Sequence, residues 1–205
     1  MQTYKTIKGT ATAQIEEKKS RFIANISFAD TEAAALCFLA KIRTENPSAN
    51  HNVYAYVLND GTVRCSDDKE PSKTAGAPVL NVLQSACITD AIIVVTRYFG
   101  GTLLGTGGLI RAYEKSAKAA LEKAEISLQR QCVQLSFLTE YAMLENISKK
   151  VTAANAKLLE TEFGEKVKIN LLCLCEETEK IKQVINEITC GSVKIEISES
   201  FFKEF

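Results

Sequence analysis

The chain has 205 residues, a hydrophobic fraction of 46% and equal numbers of basic and acidic side chains, twenty-five of each. That is enough for one large or two small globular domains. Neither a strongly basic surface for coating nucleic acid nor an apolar run approaching the ~20 residues of a membrane helix is present. Seven cysteines, an odd number scattered along apolar segments, do not form a secreted disulfide framework, and the amino terminus carries neither an apolar leader nor a lipidation signal, so the expected location is cytoplasmic.

In chain order, strands are expected at Tyr4 to Ile15 and Arg21 to Phe28, then a helix from Asp30 to Thr44 with Asp30 as its cap. Val53 to Leu58 and Thr62 to Cys65 read as a hairpin around Asn59-Asp60-Gly61, a strong turn signal. After a polar stretch comes a short helix near Pro78 to Ala86, with the proline in its first turn, and the strand Ile92 to Thr96. A glycine-dense loop follows, then a helix starting at Thr106 to Gly108, with Leu109 or Ile110, Tyr113, Ala117, Ala120 or Leu121 and Ala124 on its buried side.

The back of the chain alternates at Val133, Leu135 and Phe137. Thr139 is expected to cap a helix through about Ala154, and strands follow at Leu158 to Phe163 and Val167 to Cys175. A helix with Ile181, Val184, Ile185 and Ile188 on one stripe stops before Gly191, and a last strand alternates at Val193, Ile195 and Ile197. The order β-α-β-β-α-β is the ferredoxin-like split plan. The fold class is therefore α+β, with a front α/β domain at 1–129 and a back ferredoxin-like domain at 130–205. Split near residue 130, the front has sixteen basic and thirteen acidic side chains and the back has nine and twelve, so neither half is strongly charged. The back domain's third strand, VKINLLCLC, has no aromatic platform for stacking bases.

Function concentrates in the front. Five of the nine residues from Gly100 to Gly108 are glycine, half the chain's total of ten, and the loop is flanked by Arg97, Tyr98 and Arg111. Such a loop admits close approach of a ligand or a neighbouring main chain. The amino end of the following helix offers unpaired N–H groups to a phosphate or carboxylate. Gly100 and Gly105 have the spacing of a nucleotide-triphosphate loop, but Thr106 and Gly107 stand where lysine and serine or threonine are required. Close glycine packing with no ligand is the bland alternative.

A second polar stretch, SDDKEPSKTAGAP, carries Asp67, Asp68, Glu70, Lys73 and Thr74. Three carboxylates so close are able to hold a hard divalent cation, but their spacing matches no calcium loop, and a turn of side-chain-to-backbone hydrogen bonds is the favoured reading. His51, the only histidine, has no nucleophile motif beside it and is expected to orient a neighbour rather than react. No cofactor, no structural metal and no catalytic residue is assigned from these patterns.

Three linked segments carry a resemblance. They are His51-Asn52 with Tyr54-Ala55-Tyr56; Asp67 through Pro78; and Val95-Thr96-Arg97-Tyr98-Phe99-Gly100-Gly101 through Leu104 to Tyr113. They resemble the YigZ/IMPACT family, and the back domain resembles the second domain of its bacterial members. The resemblance implies a front domain like the fourth domain of elongation factor G and a back domain like its fifth. It further implies a translation-linked regulatory role, since the eukaryotic relatives are translation regulators that act through an additional domain absent from this sequence. Carried onto this chain, it points to His51, Asp67, Asp68, Glu70, Lys73, Thr74, Arg97, Tyr98, Gly100, Gly101, Gly105, Gly107, Gly108 and Arg111 as one ligand-binding surface.

In that surface Arg97 and Arg111 are expected to meet phosphate oxygens, and Tyr98 to stack on a base. The expected partner is RNA or a ribosome-associated protein, with no membrane involved; a homodimer is compatible with the sequence. The alternative is an enzyme acting on a phosphorylated or carboxylated small molecule, a metal-dependent hydrolase among the options.

Overall fold

A computed structural model describes residues 3–205; the first two residues of the expected front domain lie outside the described ones. The fold is mixed α+β, with two antiparallel sheets and five α-helices. The chain divides into two compact units, Tyr4–Ser127 and one built on Leu128–Phe205.

The front unit opens with β1 (Thr3–Lys8), β2 (Thr10–Glu17) and β3 (Ser20–Phe28). The single strand expected over Tyr4 to Ile15 is two, because Gly9 turns the chain with φ +69°. Next come α1 (Glu32–Glu45), β4 (His51–Val57), β5 (Val63–Ser66), α2 (Gly76–Ser85), β6 (Ala91–Tyr98) and α3 (Thr106–Lys123). The cap of α1 is Thr31 rather than Asp30: its hydroxyl accepts from the Ala34 N–H.

The sheet runs β2-β3-β6-β4-β5, which puts β6 in the middle. Residues Ala91 through Arg97 are all buried, an apolar run from Ala91 to Val95 that ends in the polar pair Thr96 and Arg97. The pleat divides it: Ile93 and Val95 pack with Val79, Leu83 and Tyr113 of α2 and α3, while Ile92 and Val94 pack with Ala35, Leu39 and Ile42 of α1. The same parity sends Arg97 to the α2/α3 side and Tyr98 to the α1 side. This detail decides the chemistry of the site.

The back unit contains most of β7 (Glu125–Thr139), then α4 (Tyr141–Ala153), β8 (Lys157–Phe163), β9 (Val167–Leu174), α5 (Thr178–Thr189), β10 (Glu196–Ile197) and β11 (Phe201–Glu204). β9 lies between β7 and β8, and β10 and β11 both pair with the far edge of β7. One face of this sheet buries Leu135, Phe137, Ile169 and Leu171 against Ile147 and Val151 of α4 and Ile181 and Ile185 of α5.

Two expectations shift. Thr139 does not cap α4: it ends β7, its hydroxyl is buried without a partner, and Glu140 takes the cap position with no side-chain bond. The terminal strand is not Val193 to Ile197, whose first residues pack on the core as coil; its pairing lies at β10 and at β11, which lacks period-2 alternation. All seven cysteines are free thiols.

Leu83→Ala, at a fully buried position of α2, is expected to cost about 2–5 kcal/mol in urea unfolding, whereas Leu103→Ala, 82% exposed, stays within about 0.5 kcal/mol.

Candidate functional site

Register puts His51 of β4 and Phe22 of β3 on either side of Arg97 on the central strand. Arg97 is 5% exposed. Its guanidinium donates through Nη1 to Glu70 Oε1 at 2.6 Å and through Nη2 to Ser20 Oγ at 3.5 Å, and it lies over the Phe22 and Phe99 rings. Nε is buried without a partner. The same Glu70 oxygen accepts from the Tyr113 hydroxyl of α3 at 2.6 Å. A buried charge is tolerable only when paired and hydrogen-bonded, and here one carboxylate ties β6, the 67–76 loop and α3 together.

The loop is a set of side-chain-to-backbone bonds. Asp67 accepts from the N–H groups of Lys73, Ala75 and Gly76, the last two at the amino end of α2, so it does the work of a cap that Ala75 has no side chain to perform. Asp68 accepts from the Asn52 N–H at 2.6 Å and faces Arg43 at 3.6 Å, and the Thr74 hydroxyl donates to the Pro71 carbonyl. Asp68, Lys69 and Lys73 take left-handed φ angles of 42°, 71° and 63° to make these bonds. The three carboxylates thus have separate protein partners. Among the described residues, no group of three or more His, Cys, Asp or Glu side chains is placed to hold a metal.

His51 Nδ1 lies 2.7 Å from the Asp68 carbonyl oxygen. A carbonyl only accepts, so Nδ1 carries a proton, and in the tautomer with no second proton Nε2 is an acceptor. Nε2 is 3.7 Å from Glu70 Oε1.

Above this floor lies a cavity of about 490 Å³, walled by Phe99, Leu103, Leu104 and Leu109, with Gly105 and Thr106 at the start of α3. Gly105 precedes the helix at φ +72°, a conformation that strains any residue with a Cβ. Gly100 is needed for a different reason, because a Cβ there would stand 2.0 Å from the Lys19 carbonyl; only glycine lets the loop lie on the β2–β3 turn.

The expected site residues therefore separate. His51, Glu70, Arg97 and Gly105 line the cavity. Asp68 braces His51, while Asp67, Lys73 and Thr74 shape the loop. Gly108 packs on Leu104, Gly107 lies beside the Arg111 guanidinium, and Gly101 is exposed. Arg111 is outside the cavity, in a shallow depression with Ile15 and Lys115.

Two roles change. Arg97 is held by Glu70 and is not an open phosphate ligand. Tyr98 points to the α1 side, where it donates to Asn46 and sits under Arg21, and the exposed aromatic at the loop is Phe99. Tyr113 was legible as a buried helix position but not as a partner in the site; a polar tip on an otherwise apolar helical stripe was its signal.

Arg97→Met or Glu70→Leu alone is expected to cost about 3–5 kcal/mol in urea unfolding, and the double change less than the sum, because each single change leaves a buried charge unpaired. Burial, the bond to Glu70 and that carboxylate's charge together push the Tyr113 phenol well up. The folded chain then keeps a proton that an unfolded tyrosine releases near pH ~10, so stability present below that pH is lost as pH rises past it. A Tyr113→Phe chain should lose stability less steeply above pH ~10, with Tyr4, and Tyr56 pushed up to about 12 by burial and Glu32, supplying the remaining slope.

Comparison with known proteins places this geometry. The Impact N-terminal domain model matches residues 18–121, which span β3 to α3 and the whole cavity. The chain is 35% identical over 207 residues to IMPACT family member YvyE of Bacillus subtilis (strain 168), covering all of this chain and 95% of that protein. It is 29% identical over 184 residues to IMPACT family member YigZ of Escherichia coli (strain K12), covering 88% and 90% respectively. A solved structure described only as a hypothetical protein superposes with a TM-score of 0.66 at 28% identity over 95% of this chain and 97% of that one. With a matching domain model and full-length relatives, the chain belongs to the IMPACT family.

Proposed function

We propose that this IMPACT family chain is a translation-linked regulatory protein of the cytoplasm whose front unit binds RNA through the glycine loop and the adjoining β2–β3 turn. Family membership, with the elongation factor G likeness that the sequence resemblance implies for both domains, supports the link to translation and makes ribosome-associated RNA the natural partner. No helix among the described residues is long and apolar enough to cross a membrane.

The observation that carries the RNA reading is the turn itself. Glu17 pairs with Ser20, and the two residues between them, Lys18 and Lys19, both take left-handed φ angles, 47° and 65°. A two-residue hairpin of this shape favours Asn-Gly, and a side chain with a Cβ costs about 1–2 kcal/mol at each such position. Strain of this kind persists where surrounding structure enforces it and is concentrated at functional sites. Here Gly100 packs directly on the Lys19 peptide, and Ser20 Oγ accepts from the Gly100 N–H. Two exposed lysines with no ion-pair partner among the described residues are thereby held at the contact with Gly100, the neighbour in sequence of the exposed Phe99. Cations for phosphates next to an aromatic face for a base make a single-strand binding surface. Glu16 and Glu17 precede the turn, so attraction acts at contact range rather than through a broad positive field.

The small-molecule enzyme reading finds less support. A phosphorylated or carboxylated substrate entering the cavity meets the Glu70 carboxylate, and Arg97 is already neutralised by it.

Replacing the turn by the residues its shape favours separates stability from binding. Lys18→Asn/Lys19→Gly should raise stability by about 1–2 kcal/mol. On single-stranded RNA, the slope of log K against log salt should become shallower by about 1–2, at ~0.7 per phosphate contact. Fluorescence anisotropy over a salt series checks this, and unchanged affinity and slope in the stabilised variant would contradict the proposal.

A further inference from the structure

The cavity floor has an acceptor-rich, electrically balanced character that neither the turn nor the glycine loop explains. Glu70 Oε1 accepts from Arg97 and Tyr113, but Oε2 has no hydrogen-bond partner among the described residues. His51, with its Nδ1 proton committed to the Asp68 carbonyl, turns Nε2 toward the same carboxylate, 3.7 Å from its Oε1. Two acceptors so close repel each other unless the ring takes a second proton or a donor group enters between them. A ligand edge with two adjacent donors satisfies both at once.

The surroundings restrict what carries that edge. Glu70 and Arg97 cancel, so the floor bears no net charge. An arginine or lysine side chain from a protein partner would bring a second cation against Arg97, and an anion would meet Glu70; a neutral group avoids both penalties. The walls are Phe99, Leu103 and Leu109 with Pro71, and the volume of about 490 Å³ is that of a small-molecule pocket, suited to a flat aromatic body. At the cavity's edge Thr106 begins α3, whose first N–H groups lack helical acceptors and suit a phosphate attached to that body.

Among nucleobases, guanine alone offers two neighbouring donors, N1–H and the 2-amino group, on its Watson–Crick edge. Adenine and cytosine offer one amino group beside an acceptor, and uracil one N–H between acceptors. We propose that the cavity takes a single unstacked guanine of RNA, its N1–H and 2-amino edge on Glu70 Oε2 and His51 Nε2 and its phosphate toward the amino end of α3. This rests on the RNA reading above and names the nucleotide that the same surface selects.

Three RNA hairpins of one stem, with guanosine, inosine or adenosine at a single unpaired loop position, test the proposal on the full chain by fluorescence anisotropy at fixed salt. Inosine lacks only the 2-amino group. Guanosine RNA should bind about tenfold more tightly than inosine RNA, and adenosine RNA should be weaker again. His51→Phe keeps a flat ring and removes the acceptor, and should bring the guanosine-to-inosine ratio close to one. Lys18→Asn/Lys19→Gly should weaken all three hairpins alike and leave the ratio intact.

Equal binding of the three hairpins by the unaltered chain overturns the guanine site and leaves RNA binding standing; no binding of any hairpin overturns both. Arginine amide displacing the guanosine hairpin better than guanosine monophosphate overturns it in favour of a protein side chain. The base series is read on the unaltered chain, so it decides the question even if His51→Phe unfolds.

Discussion

The buried Arg97–Glu70 pair is the constraint on which the front unit depends. A guanidinium on the central strand of a sheet packed on both faces needs a counter-charge, and the only way to deliver one is to bring a polar loop over the end of the strand. Glu70 does this, and because the same oxygen accepts from Tyr113, the loop is fastened to α3 as well as to β6. The other polar residues of the loop follow from that demand. Asp67 gathers the start of α2, Asp68 closes on β4, and three residues with positive φ angles let the chain double back. The acidic appearance of the segment thus reflects internal bonding more than affinity for a cation.

This arrangement also settles the character of the cavity. With its arginine neutralised, the cavity is a weak seat for an isolated anion, and the proposed attraction for RNA falls to the β2–β3 turn. That turn holds Lys18 and Lys19 in a backbone conformation that local preference resists, and Gly100 permits the contact that enforces it. In the RNA reading proposed above, the lysines of the turn outside and the acceptor-lined cavity inside divide the labour of recognition. On that proposal one set of groups would meet phosphates whatever the sequence, and the other would read a base edge.

Much of this was legible in the sequence and some was not, for identifiable reasons. The Asn59-Asp60-Gly61 hairpin, the apolar run of β6 and the amphipathic α3 are local signals, and the structure places each where pattern puts it. Strand parity was the missing step for Arg97 and Tyr98: neighbours in sequence point to opposite faces, so a single loop-flanking surface containing both was not available to the fold. The Lys18-Lys19 turn has no sequence signal because neither residue is a turn former; the β2–β3 pairing closes it and Gly100 packs on it. Thr139 has the composition of a cap but is the last residue of β7, with Glu140 between it and α4, and β11 carries no alternation because its pairing to β7 is not reflected in a half-buried pattern.

Amide chemical-shift mapping tests the central claim most directly. With labelled protein and a single-stranded RNA containing guanine, the account predicts concentrated changes at Lys18, Lys19, Phe99 to Leu103 and Thr106 to Gly108, together with the His51 ring, and little change on the α1 side around Tyr98 and Asn46. Changes confined to the α1 side, or to the back unit, with the loop and the turn unmoved, would contradict it.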